Sequence, residues 1–443
     1  MKSTPKTHQR ICLLAAKNLR WNTRVSRQAL SLQASGWRVT IAALERPDSR
    51  GLEDIEYVQV TLPRPLRRLE RLLRRKRPSP TESESAAFVA APSKDNSPRL
   101  LASISSAIVR AARFIVLPFG HTINSMLFAR ASTRALAQHR FEVIQAHDAP
   151  ALRGARSLSR ISNALLVYDA VEFVDDRSTF HNTPLQRTLR RFESAAEARI
   201  IRRADLSFSI GPSMQQWMVK RYAIATPVVV RNCRWHEQRF SESSLRGSAK
   251  LADTDRVVLY MSSFLPGRGV EEFIQALSML GQEIHAVILG SSNVPGYQQA
   301  MLDLGRGLGL SERLHFLSPV PPDELIRYIA GADVGVIPFL NTSMNNFYSL
   351  PNRFFEMIMA RLPVAVSASP DMQAIVAGFG IGEVFDPQKP NEIASAIRSL
   401  LERTGQPALR ERLDRAADAL CWETESLDYC AALARICDNR KRG

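Results

Sequence analysis

Short apolar runs of strand length recur along the chain, at Ile11–Ala16, Val39–Leu44, Tyr57–Leu62, Val143–Ala146, Ala164–Tyr168, Leu206–Ile210 and Pro227–Val230. Longer charged stretches of helical character, such as Thr23–Ala34 and Leu189–Arg203, separate most of them. Strands that are apolar throughout, and not alternating, are buried on both faces, so the pattern predicts a parallel sheet covered by helices on each side. A polar stretch, Ser241–Asp255, interrupts the rhythm. It restarts with Val257–Met261, His285–Leu289, Leu314–Leu317, Val334–Phe339 and Leu362–Val366. The expected fold class is therefore α/β, with two Rossmann-like, doubly wound parallel-sheet domains over residues 1–240 and 256–420. Ligands of such sheets bind beyond the carboxyl ends of the strands, so the turns after each run are where chemistry is sought.

One region departs from this rhythm, an insertion at about residues 64–99. Between Arg64 and Arg77 six further cations (Arg67, Arg68, Arg71, Arg74, Arg75 and Lys76) accompany Leu66, Leu69, Leu72 and Leu73 at helical spacing. This reads either as a basic amphipathic helix suited to an anionic membrane surface or as a solvated surface helix or loop. Residues 78–98 are rich in Ser, Pro and Ala and are expected to be flexible.

Composition narrows the class of partner. The 443 residues exceed one ordinary core, and 45% hydrophobic content fits a globular protein. A net charge of +16 favours anionic partners; without interleaved aromatic residues it gives no ground for nucleic acid. The five cysteines are scattered with neither CxxC spacing nor a nearby His pattern, so neither a disulfide framework nor a zinc site is expected. The apolar run after Arg10 is too short for the core of a secretion signal, and no run reaches membrane-spanning length. The expected location is cytoplasmic, or peripheral on the inner face of the membrane.

Candidate chemistry falls on the predicted strand ends. Ser349-Leu350-Pro351-Asn352-Arg353-Phe354-Phe355-Glu356 lies between two apolar runs and reads as loop, then helix start. Pro351 suits a first helical turn, the amides near Asn352 and Arg353 form an anion seat, and Glu356 sits about a turn further on. The pattern alone fits a nucleotide seat and an ordinary αβ connection equally. Gly267-Arg268-Gly269, after another strand, permits close backbone approach and offers Arg268 to a diphosphate, although it is also a plain turn. In the first half, Asn22 and Arg24 follow the opening strand, His147-Asp148 ends Val143–Ala146, and Asp169 and Glu172 follow Tyr168. His147 could serve a substrate hydroxyl or leaving group in either protonation state, or be structural. Asp253-Thr254-Asp255 reads as a hydrophilic turn. There is no GxxxxGK[ST] loop and no GxGxxG after the first strand, which disfavours P-loop nucleotidases and dinucleotide enzymes.

Together these residues resemble the retaining GT-B glycosyltransferases of family 4, which carry a group 1 C-terminal domain. Ser349–Glu356 followed by Met357–Val364 looks like the subgroup pattern LPN[KR]xxE, a helix and GLPV. Arg268–Glu272, Thr23–Val25, His147-Asp148 and Arg203–Asp205 match further. The resemblance implies two domains facing a cleft, with a helix at about 421–437 completing the first. It implies a nucleoside-diphosphate sugar as co-substrate, no cofactor and no required metal, and a glycan or lipid-linked acceptor. Carried over by residue, Glu356 would hold the donor ribose, Arg268 and the amides near Leu350 to Asn352 the diphosphate, and His147 would lie near the transferred sugar. Asn22, Arg24, Asp148 and Glu172 fall on the acceptor or phosphate side, and Arg353 would add positive charge. The chain departs from the pattern at Tyr348 (usually Glu), Ser263 (usually Arg), Arg361 (usually Gly) and Val171-Glu172 (often His-Glu). A nonhydrolysing sugar epimerase on the same architecture and an inactive scaffold that binds a membrane or protein are the competing expectations.

Overall fold

A computed structural model describes residues 9–19, 23–47, 50–62, 123–173 and 184–442. The basic segment 64–77 and Asn22 lie outside these residues. The chain divides into two compact units, one of Met1–Phe208, Tyr222–Ala225 and Leu433–Gly443, the other of Ser209–Arg221 and Thr226–Ala432. The fold is GT-B, two α/β Rossmann-like units with parallel sheets.

The first sheet contains β1 (Arg10–Asn18), β2 (Arg38–Glu45), β3 (Glu56–Gln59), β4 (Val143–His147), β5 (Leu165–Asp169), β6 (Leu206–Ser209) and β7 (Val228–Val229), ordered β3-β2-β1-β4-β5-β6-β7. The order reverses between β1 and β4, which pair in parallel with Ala15 opposite His147. In the neighbouring pair, His147 stands opposite Asp169. The carboxyl ends of β1, β4 and β5 therefore gather at the switch point where open α/β sheets hold ligands.

The second sheet contains β8 (Arg256–Met261), β9 (Ile284–Leu289), β10 (Leu314–Leu317), β11 (Val334–Ile337), β12 (Val364–Ser367) and β13 (Gly382–Phe385), ordered β10-β9-β8-β11-β12-β13. Its burial explains the unbroken apolar runs. Val257, Leu259 and Met261 pack into one core with Ile337, Phe354 and Phe355, while Val258 and Tyr260 pack into another with Phe273, Ile288 and Val336. Successive side chains of β8 enter opposite layers, and both layers are apolar. β13 was missed by the apolar-run reading because Gly-Glu-Val-Phe is only partly buried.

The helix Asn352–Met359 buries Phe354, Phe355 and Ile358, spaced to lie on one face. It ends in a left-handed residue, Arg361 at φ 61. Leu362 N–H donates to Met357 O at 3.0 Å and Arg361 N–H to Ile358 O at 2.9 Å, the paired bonds of a Schellman stop. Glycine is favoured there because it lacks a Cβ. Here an arginine takes the position, 6% exposed, and its guanidinium donates to Glu237 O at 2.6 Å and pairs with Asp414 at 3.3 Å.

Candidate functional site

In the second unit three elements converge at the carboxyl edge of the sheet. The turn Gly267-Arg268-Gly269 leads into the helix Val270–Leu277, with Gly269 at φ 72 as its N-cap. A Cβ on Gly269 would lie 1.7 Å from Pro338 O, just beyond β11, so only glycine lets this turn reach the strand end. The approach places the Arg268 guanidinium 4.6 Å from the Phe339 ring centroid, a cation–π contact. Burial first, and then the proximity of Arg353, lower the Arg268 pKa, against an opposing effect of Tyr260. Tyr260, near the end of β8, has its own pKa raised by burial, and Arg268 and Arg353 both act against that rise. Arg268 and Arg353 thus stand close enough to repel each other beside one strand end, an arrangement that an anion would relieve.

The start of the helix Asn352–Met359 completes this arrangement. Its N-cap, Pro351, is extended at φ −70 and ψ 147 and provides no side-chain cap. Pro351 thus precedes the first turn instead of occupying it, a shift of one position from expectation. The partial positive charge of the helix start is left for a ligand. Among the described residues, Ser349 Oγ and Arg353 Nε are buried without a hydrogen-bond partner. Such groups cost about 1–3 kcal/mol each when unsatisfied, so their clustering marks a place built to receive acceptor atoms. Leu350 is 4% exposed and belongs to the core; only its backbone could face a ligand. Asn352 accepts a bond from Asn232, which holds the helix start, and Glu356 is partly exposed one turn along the same helix. Tyr348 packs edge-on against Phe347.

The first unit carries a separate constellation. His147 Nδ1 lies 3.1 Å from Asp169 Oδ2, and both are almost wholly buried. Arg24 is 2% exposed and donates to Asp169 Oδ2 from Nε at 2.9 Å and to Oδ1 from Nη2 at 2.7 Å. Arg24 is therefore not the open cation its position implied: its charge is directed inward. Burial alone would raise the Asp169 pKa, but Arg24 and His147 outweigh it and hold the carboxyl well below the usual range. Gln28 Nε2 donates to Asp169 Oδ2 at 3.0 Å, and Gln145 joins Gln28 to His147. Sequence reasoning passed over Gln28 and Gln145. The available signal was a polar residue inside an otherwise apolar, fully buried strand, Val143–His147.

Asp148 follows at φ 64 and ψ 166, a conformation that costs a non-glycine residue on the order of 1–3 kcal/mol. It is anchored by its N–H to Asp169 O at 3.0 Å, by Ala149 N–H at 3.2 Å, and by Lys17 Nζ at 2.5 Å. Lys17 also reaches Glu172 at 3.3 Å. Burial opposes its charge, but Asp148 and Glu172 overcome that and raise its pKa. Among the described residues, no group of three or more His, Cys, Asp or Glu is placed to hold a metal ion, and no helix is long and apolar enough to cross a membrane.

The whole-chain fold is shared with sucrose-phosphate synthase from Thermosynechococcus elongatus, at a TM-score of 0.67 and 16% identity over 97% of this chain and 99% of that one. Anabaena HepE in complex with UDP is similar at a TM-score of 0.65 and 16% identity, over 96% of this chain and 100% of that one. Residues 241–419 match the family Glycosyl transferases group 1. D-inositol 3-phosphate glycosyltransferase of Corynebacterium urealyticum is 29% identical over 143 residues, 32% of each chain. The first curated relatives are matched over 24% to 44% of their own length.

Proposed function

We propose that the chain transfers a sugar from a nucleoside-diphosphate donor to a glycan or lipid-linked acceptor, in the synthesis of a cell-surface polysaccharide or glycolipid. The observation that carries this reading is the uncapped helix start at Asn352 with Ser349 Oγ and Arg353 Nε unpartnered, and with Arg268 near enough for its charge to act on Arg353. A diphosphate supplies what that arrangement lacks: two anionic groups and several acceptor oxygens. HepE, a protein of the same fold, is described in complex with UDP and with UDP-glucose, which supports a uridine donor here.

In the proposed reaction the bond from the anomeric carbon to the diphosphate breaks, a bond from that carbon to an acceptor oxygen forms, and the acceptor proton leaves with the phosphate. Negative charge grows on the departing diphosphate, where Arg268, Arg353 and the amides of Asn352 and Arg353 would stabilise it in the transition state. Glu356 would hold the ribose, and His147 would border the transferred sugar. The proposed chemistry retains configuration by a front-face route, and the LPN[KR]xxE subgroup is the proposed placement within the family. Two fixed guanidiniums make a divalent cation dispensable in this scheme, so transfer is expected to persist in EDTA.

Calorimetric titration with UDP and a panel of nucleoside-diphosphate sugars tests the reading. Wild-type protein is expected to bind one of them, and Arg268→Ala and Arg353→Ala to weaken it about tenfold or more. Failure of the entire panel to bind would remove the enzyme reading and favour the scaffold alternative.

A further inference from the structure

The polar groups beneath His147 form a closed hydrogen-bonded ring, and its polarity can be deduced atom by atom. Arg24, Gln28, Gln145, His147 and Asp169 are all 5% exposed or less. Two sequence periodicities bring them together. Gln145 and His147 are two apart on β4 and so share one face of the sheet; Asp169 is the register partner of His147; Arg24 and Gln28 are four apart on the helix Thr23–Ala34 and so share one face of it.

The deduction starts at Asp169. Ionised and pinned by Arg24, it only accepts hydrogen bonds. Gln28 must therefore turn its Nε2 to Asp169, at 3.0 Å, which points its Oε1 the other way. Gln145 meets that oxygen at 3.1 Å and must do so with its own Nε2. The same amide nitrogen lies 3.2 Å from His147 Nε2. A nitrogen facing an N–H donor is an acceptor, so His147 Nε2 carries no proton and Nδ1–H donates to Asp169 at 3.1 Å.

We infer that Gln28 and Gln145 are positioning residues, which together with Arg24 and Asp169 lock His147 in the Nδ1–H tautomer and fix the strained Asp148 turn that follows it. Both ring nitrogens are thereby committed inside the protein. His147 would border the sugar as a fixed ring edge, and a proton could reach Nε2 only by displacing Gln145. The kinetic part of this inference rests on the transfer reading above; the tautomer does not.

The test uses the full chain labelled with ¹⁵N-histidine, the His147 signals being assigned by their loss in His147→Gln. Long-range ¹H–¹⁵N spectra are expected to show Nδ1 protonated and Nε2 unprotonated in wild type. In Gln145→Leu, which preserves bulk without the donor, the Nε2–H form is expected to appear. Gln145→Asn, with a shorter amide, is expected to restore the wild-type signature in part. On the donor that the titration identifies, Gln145→Leu is expected to lower kcat on the order of 10²-fold with KM for that donor unchanged. Protonated Nε2 in wild type, or a folded Gln145→Leu with unaltered tautomer and kcat, would overturn the inference. A chain that binds no nucleotide yet shows the predicted tautomer would sink the transfer reading and leave the lock standing.

Discussion

At residue scale, Arg361 carries backbone strain that its side chain offsets. Arg361 occupies the left-handed stop of its helix, where the family pattern has glycine, and its guanidinium ties Glu237 O to Asp414. Arg361→Ala keeps the strain and loses the ties; Arg361→Gly loses the ties but relieves the strain. The alanine variant is therefore expected to be the less stable, by about 1 kcal/mol in urea unfolding. Equal midpoints, or a weaker glycine variant, would show that strain at this position is negligible. Gly269 presents the reverse case. Gly269→Ala puts a methyl 1.7 Å from Pro338 O, so the turn must move and carry Arg268 with it. Loss of UDP affinity comparable to that of Arg268→Ala is expected by calorimetry, and an unchanged Kd would separate the turn from the ligand.

At the scale of elements, β9 and β10 place His285 Nδ1 and His315 Nε2 3.1 Å apart, with the rings stacked. Burial and then His285 lower the His315 pKa below its ordinary 6.5. The folded chain therefore binds fewer protons than the unfolded one below that value. The contribution to stability is complete above about pH 6.5 and is lost as pH falls through the folded pKa. Urea unfolding between pH 5 and pH 8 should show stability falling on the acid side, with a shallower slope in His315→Gln. An identical slope would assign the effect elsewhere. Strands such as Val257–Met261 were legible in the sequence because burial on both faces leaves no polar interruption. The helix start at Asn352 was legible through Pro351 and its polar flank. The ring at His147 was not, since it depends on the register of β4 with β5 and on which face of Thr23–Ala34 turns inward. Arg24, read in isolation, fits a cation facing a phosphate and the first exposed residue of its helix equally, and neither reading contains Asp169.

At the scale of the molecule, the proposed nucleotide contacts, Arg268, Arg353 and Glu356, draw on the second unit alone. Saturating UDP, a hundredfold above its Kd, would add about 2.7 kcal/mol to the stability of whatever folds with that site. Hydrogen exchange is expected to slow around 267–270 and 349–356 and to stay unchanged along β1 and β2; uniform protection would argue against a local site. The ring in the first unit bears on motion. Side-chain amide protons of Gln28 and Gln145, sealed between helix and sheet, can meet solvent only when the helix Thr23–Ala34 lifts from β4. Their exchange lifetimes therefore form a built-in clock for that opening, readable without a ligand and blind to the motions of the second unit.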